Sequence, residues 1–347
     1  VGAHVRRLAI SVPASQFHAG GARLARATDA DRKARMEASG PRLGEVVGGQ
    51  IFRGVLTGLN EAFIVDQATR DALVGRDPRS AEILKPLLVG DDVRRYEVHF
   101  RERYLIFTRR GIRIADYPAI LRHLERWREG LTPKRTGNEA HGRKPGDYEW
   151  YEIQDTVAYY AAFDAPKIVY PEIAKETRFT LDSDRYYPIK TIFSIPADDP
   201  YIVAVLNSQV AWDYLRSICS VLGDEDAKGR LTQQEIYLER VPIPEAPAGE
   251  RAALAALAQR AQGLHGRRRT RAEAFLAAVG LSPAGLSSRN PLEEPWSLSP
   301  EEFARRCRGA DLGVWRSARE ETTTLTEQIA LVEGEVDRHV AALYGVG

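Results

Sequence analysis

Residues 241–250 read VPIPEAPAGE. The prolines at 242, 244 and 247 fix φ and remove amide donors, so the run can be neither helix interior nor central strand. It divides the chain into two regions of different character. From 43 to 247, brief β-branched and aromatic runs (YLIFT at 104–108, PKIVYPEI at 166–173, TIFSIP at 191–196) are each bounded by Pro, Gly or Asp, as strands are. Helical patterns lie between them, at 117–130 and at 201–221, with a strand-to-helix junction read at Leu206-Asn207-Ser208, where Asn207 or Ser208 caps the helix. Beyond 250 the pattern becomes wholly helical, alanine-rich at 250–279 and apolar-striped at 311–344. The intervening LSPAGLSSRNPLEEPWSLSP (281–300) is rich in Pro and Ser and is expected to be a loop or excursion.

These patterns predict an α/β (α+β) domain with a twisted mixed sheet and flanking helices, followed by a long helical hairpin. In the last helix Leu325, Ile329, Val332, Val336, Val340 and Leu343 follow a 4-3-4-4-3 spacing, the stripe by which a helix packs on a partner. Ahead of the mixed region, residues 3–12 read as a strand and 29–38 as a short charged helix stopped by Gly40-Pro41. The chain starts at Val1 and its one methionine is Met36, which leads to the expectation of a piece of something larger.

Several chemistries are not written in this sequence. Transfer of a methyl group to an amino nitrogen of DNA needs Asn or Asp followed by Pro-Pro and an aromatic, and Asn290-Pro291-Leu292 is the nearest approach. Neither a G-x-G-x-x-G nor a G-x-x-x-x-G-K-[ST] phosphate loop occurs, nor the G-x-S-x-G nucleophile elbow. The seven histidines form no H-x-x-x-H or H-E-x-x-H pattern, and Cys219 and Cys307 stand in no metal-ligand spacing, so idle thiols and no metal site are expected. Apolar runs such as 201–206 and 252–258 fall short of the roughly 20 residues that span a bilayer, and the chain is read as cytoplasmic.

What stands out is the segregation of charge. The net charge is only +1, yet residues 94–144 hold 14 Lys and Arg against 6 Asp and Glu, an excess of +8 that leaves −7 for the remainder. Phosphate recognition needs such side chains on a concave or groove-entering surface, with backbone donors and small polar groups beside them. KRTGNEAHGRK (134–144) has the composition of a loop that orders on a duplex. A solvated face remains the alternative, with Arg122, Arg126 and Arg128 paired to Glu125 and Glu129.

Several segments, in order, resemble the TaqI-like specificity domain, the target-recognition region that follows the catalytic domain in adenine-specific DNA methyltransferases and in single-chain (type IIG) restriction-modification enzymes. They are LGEVVGGQIFRGVLTGLNEAF (43–63), ILKPLLVGDDVRRY (83–96), YLIF (104–107), YPAILRHLERWREGLTPKR (117–135), WYEI (150–153), PKIVYPEI (166–173), YIVAVLNSQVAWDYL (201–215) and VPIP (241–244). IALVEGEVDRHVAALYGV (329–346) is similar to the closing helix of the same enzymes. The resemblance implies three parts: 1–42, a linker from an upstream catalytic domain; 43–247, a DNA target-recognition domain; and 248–347, a helical spacer or packing domain. It further implies that this region has no catalytic residues of its own and binds double-stranded DNA. The intact enzyme would then methylate adenine N6 with S-adenosylmethionine, with a Mg-dependent nuclease on the same polypeptide left open. A protein-interaction or dimerisation module built on the helix pair is the alternative.

Candidate DNA contacts are Arg53, Thr57 and Asn60 around the two glycines of IFRGVLTGLNEAF (51–63); Lys85 ahead of Gly90; and Arg94, Arg95, Arg109, Arg110, Arg113, Lys134, Arg135, Asn138, Arg143 and Lys144 in the basic segment. Arg185, Tyr187 and Lys190 belong to DSDRYYPIK (182–190), a second loop fit to read bases, with Tyr186 beside them. Gly54 and Gly58 serve either close approach to a DNA strand or the fold itself.

Overall fold

The computed structural model describes residues 27–223 and 229–346, so the strand expected at 3–12 lies outside the described residues. The class is the expected mixture of strands and helices, but the strands divide among small sheets because Pro, Gly and short loops interrupt almost every run. One sheet has the order β1 (Phe52–Arg53), β11 (Ile192–Ile195), β7 (Lys167–Pro171), β9 (Thr180–Asp182), all antiparallel. A second has the order β10 (Tyr187–Pro188), β3 (Leu84–Leu88), β6 (Arg103–Ile106), β2 (Ile64–Asp66); β10 is parallel to β3 and the other pairs are antiparallel. Strands β12 (Ser220–Leu222), β13 (Arg230–Thr232) and β8 (Ile173–Ala174) make a third, and β4 (Val93–Arg94) pairs with β5 (Glu97–Val98).

Helix α1 (Ala27–Glu37) leads into this framework. Helices α2 (Gln67–Arg76) and α3 (Pro118–Glu125) cover the second sheet. The pattern at 117–130 predicts one helix, yet α3 stops at Glu125 and a separate turn covers Arg128–Leu131. Likewise 201–221 is two helices, α4 (Pro200–Asn207) and α5 (Gln209–Ile218), and the junction between them is helix to helix. Ser208 Oγ caps α5 by accepting the Ala211 N–H at 3.1 Å. Asn207 instead turns inward, where its side chain donates to Phe179 O and accepts the Phe179 N–H. Residues 201–207 are buried all round, as a helix without a polar face must be.

Helices α6 (Ala248–Ala278) and α7 (Leu312–Leu343) form the hairpin. Contacts run Glu250 to His339, His265 to Glu333, Arg268 to Thr326 and Arg271 to Glu321, numbers descending on one helix as they rise on the other, so the pair is antiparallel. The stripe residues Ile329, Val332, Val336 and Val340 are buried with Leu254, Ala258, Ala261 and Leu264. That same core contains Met36, Leu43, Ile168, Tyr170, Ile195 and the buried residues of α4 and α5. Burying each such side chain stabilises by about 1.5–3 kcal/mol relative to exposure, so the proline run at 241–250 marks a change of secondary structure within one continuous core. A second core lies under the other sheet, around Val55, Phe63, Leu87, Leu105, Ile120, Phe163 and Tyr187.

The 281–300 segment folds back onto the mixed region. Arg94 Nη2 donates to Ser288 O at 2.8 Å, and Arg101 Nη1 donates to Pro283 O at 2.7 Å. Arg101 and Arg269 both pair with the buried Glu293 carboxylate, at 2.8 and 3.2 Å. Nearby, Glu97 lies between His99 and His265 at 3.0 and 3.7 Å, and His265 reaches Glu333 on α7 at 2.9 Å. Burial opposes the charged Glu97 carboxylate, but the two histidines outweigh it and hold the group down to about 2.

Candidate nucleic-acid interface

The two glycines at 54 and 58 are explained by packing. Gly54 N–H donates to Ile192 O, Val55 N–H to Pro188 O and Lys190 N–H to Val55 O, all at 2.8–2.9 Å. The backbones of 53–55 and 188–192 thus run in contact, and a Cβ on Gly54 would sit 2.3 Å from Ile189 O. Gly58 has φ +82°, and a Cβ there would meet Arg143 Cδ at 2.6 Å. Between them Thr57 is buried, and its hydroxyl donates to Asn60 Oδ1 at 2.7 Å, closing the turn.

Arg143 holds this turn to two other segments. Its guanidinium is only 3% exposed and donates to Thr57 O, Leu131 O, Glu152 O and Trp150 O at 2.7–3.0 Å. Arg110 extends the frame by donating to the Ile153 and Gln154 carbonyls, and Glu152 accepts the Gly111 N–H at 2.6 Å. A buried Lys167–Asp182 pair at 2.6 Å fixes the second loop, because Asp182 also accepts the Asp184 and Tyr186 N–H groups.

On this frame a cationic face forms. Arg53 is half exposed; its Nε donates to Lys190 O at 3.0 Å and its Nη2 reaches Glu172 at 3.4 Å. Lys144 and Lys190 are exposed. Burial raises the Asp155 carboxyl, and Arg53, Arg110, Lys144 and Lys190, from four separate segments, oppose that rise. Aromatic rings line the same place: Phe52 stacks on Tyr159 with centroids 4.5 Å apart, Tyr159 Oη donates to Arg53 O at 2.8 Å, and Arg109 lies over Tyr160 at 5.1 Å.

Other candidates fall elsewhere. Thr57, Arg143 and Tyr187 are corrected from surface contacts to internal ones: Tyr187 is 1% exposed and its hydroxyl donates to Asp164 at 3.0 Å, and it packs on Phe107 and Phe163 in the second core. Arg94 and Arg95 are corrected too, since they reach Ser288 O and Glu333 and tie the mixed region to the helical one. The basic excess of 94–144 is therefore shared between an internal frame and a surface. Lys85 is half-buried on β3 over the Tyr187 ring at 5.5 Å, and Asn60 is exposed at the turn. Arg113 is 83% exposed beside Asp116, and Arg135 and Asn138 lie exposed on the 132–143 loop with half-buried Lys134. Glu139 closes that loop by accepting the Arg135 and Thr136 N–H groups at 2.9 and 3.0 Å. Arg185 is exposed with φ +63°. Arg122, Arg126 and Arg128 do not pair with Glu125 or Glu129; Arg128 stacks on Trp150 at 4.7 Å, and the other two bond to carbonyls of their own helix.

Asp155, Tyr159 and Tyr160 escaped the sequence reading, which followed positive charge. The signal available was DTVAYY (155–160), an acid and two aromatics in a stretch with no regular pattern. Among the described residues no group of three or more His, Cys, Asp or Glu is placed to hold a metal ion, and no helix is long and apolar enough to cross a membrane. Cys219 is buried and Cys307 half-buried, and neither is in a disulfide among the described residues.

Residues 85–243 match the family model of the TaqI-like C-terminal specificity domain. This confirms the family resemblance over the centre of the chain, while the turn at 54–60 lies upstream of the matched specificity domain. A solved structure of the type IIL restriction-modification enzyme MmeI in complex with DNA is similar at 12% identity and a TM-score of 0.44. The similarity covers 86% of this chain and 33% of that one, so the chain spans about a third of that enzyme's length. No curated protein matches.

Proposed function

We propose that the specificity domain binds double-stranded DNA and recognises a short sequence in it. The observation that carries this is the exposure of Arg53, Lys144 and Lys190, with Arg53 bonded to the Lys190 and Tyr159 segments, on a face whose backbone is rigidly cross-braced. A duplex presents one negative charge per roughly 1.7 Å of axis, and a cluster of this sign and size gains by displacing its counterions. The match to a specificity domain over 85–243 supports the same reading.

In the intact enzyme this region would hold an upstream adenine-N6 methyltransferase in register on its site, as part of a cytoplasmic type IIG restriction-modification system. S-adenosylmethionine, and Mg where a nuclease is present, would be bound by that other part of the polypeptide. A helix-mediated dimer has less support, because the α7 stripe is already buried against α6 and α4 within one chain.

The test is fluorescence anisotropy of the full chain with a duplex of random sequence at increasing salt. If three cations each neutralise one phosphate, affinity falls on the order of 40-fold between about 50 and 200 mM salt. Affinity indifferent to salt, or none at low salt, refutes the proposal.

A further inference from the structure

Asp155 is an unexpected group to find at the centre of a phosphate-facing surface. It is half-buried, its backbone N–H donates to Leu56 O at 3.2 Å, and its carboxylate accepts no hydrogen bond and forms no ion pair within 4 Å among the described residues. Burial raises its carboxyl, and Arg53, Arg110, Lys144 and Lys190 oppose that rise at longer range while its oxygens stay open. A carboxylate so placed repels the DNA backbone. It is tolerable only where the bound duplex supplies a hydrogen-bond donor.

Two residues further on, Val157 has φ +42° and is 2% exposed. A β-branched side chain in left-handed backbone is a genuine outlier, and such strain persists where surrounding packing over-determines the position. Here the Arg110 bonds to Ile153 O and Gln154 O clamp the preceding residues, so the backbone that carries Asp155 is held in place.

Resting on the DNA reading above, we propose that Asp155 is a specificity-determining residue that accepts a hydrogen bond from the exocyclic amine of one base, cytosine N4 or adenine N6, in the major groove. Those amines are the donors that base edges offer there, and carboxylates accept from cytosine N4 in that way. Guanine and thymine present acceptors at the corresponding positions and meet repulsion from the carboxylate. The surrounding cations hold the flanking phosphates and bring the base edge to Asp155.

The experiment compares wild type with Asp155→Ala by selection from a randomised duplex pool, followed by affinity measurements on the selected site and on random duplex. Wild type should select C or A at one position. Asp155→Ala, which has no side-chain acceptor, should lose that preference by about tenfold while binding random duplex as well as wild type or a few-fold tighter, since a repulsive charge is gone. Replacing the selected base by its analogue without the amine should weaken wild type about tenfold and leave Asp155→Ala unchanged, which a merely structural role would not produce. Thermal melting of the variant should match wild type because no bond to Asp155 is broken. If the variant selects the same site with every position intact, or if the site and random duplex weaken equally, the inference is wrong while the DNA reading stands. Should wild type bind no duplex, both fail.

Discussion

Residues 143 and 144 are both basic and adjacent, yet the structure gives them opposite roles. Arg143→Ala removes a guanidinium that donates to five backbone carbonyls in three segments, four of them at 2.7–3.0 Å and Glu149 O at 3.4 Å. Leaving a buried acceptor unpaired costs about 1–3 kcal/mol, which for the four close carbonyls is an upper sum on the order of 4–12 kcal/mol. Water entering the vacated space recovers much of it, so the expected loss is about 3–5 kcal/mol, a large share of the roughly 5–15 kcal/mol that holds a domain folded. Burial pulls the Arg143 guanidinium down to about 10, so it stays charged at neutral pH and its bonds are charge-assisted. Lys144→Ala, on an exposed side chain, should change stability by no more than about 0.5 kcal/mol. It should instead weaken binding to random duplex and flatten the log-affinity against log-salt slope by about 1. Urea unfolding followed by tryptophan fluorescence reads the first effect, because Trp150 contributes a carbonyl to Arg143, and anisotropy against salt reads the second. An Arg143→Ala protein with wild-type unfolding and a reduced salt slope would refute the division into frame and face.

Two further outcomes follow from the same structure. Gly54→Ala places a methyl group 2.3 Å from Ile189 O and should destabilise by about 1–3 kcal/mol or more, whereas Gly75→Ala, in the last turn of α2 with open space around it, should stabilise by about 0.5–1 kcal/mol; melting temperatures of the two variants should move in opposite directions. The Glu97 carboxyl is held at about 2, below its ordinary 4.5, so its stabilisation is fully present above about pH 4.5 and is lost as pH falls toward 2. Burial disfavours charged His265, but Glu333 and Glu97 outweigh it and raise its pKa, so its contribution is present below about pH 6.5 and fades as pH rises through the raised value. Stability of wild type should therefore fall on both sides of a mildly acidic optimum, and Glu97→Gln should flatten the acid limb in urea midpoints taken from pH 3 to 8.

Much of the local structure was legible because it depends on near neighbours in sequence. The proline run at 241–250, the runs that became β6, β7 and β11, and the stripe of α7 are properties of adjacent residues and their periodicity. The ordered matches from 43–63 to 241–244 carried the family resemblance for the same reason, and the family model matches residues 85–243. The inward turn of Asn207 was not legible, since it answers to Phe179, 28 residues away in the chain.

By itself, then, the sequence determined which segments could be strand or helix and that positive charge is concentrated between 94 and 144. Only the tertiary structure decided which arginines are inside. Arg94, Arg95 and Arg143 look no different in sequence from Arg109 and Arg113, but a long flexible cation binds whatever carbonyl or carboxylate the fold brings within reach, and those partners include Ser288, Glu333 and Thr57, far away in the chain. Asp155 became notable the same way, when the fold set cations from four separate segments against the rise that burial gives its carboxyl.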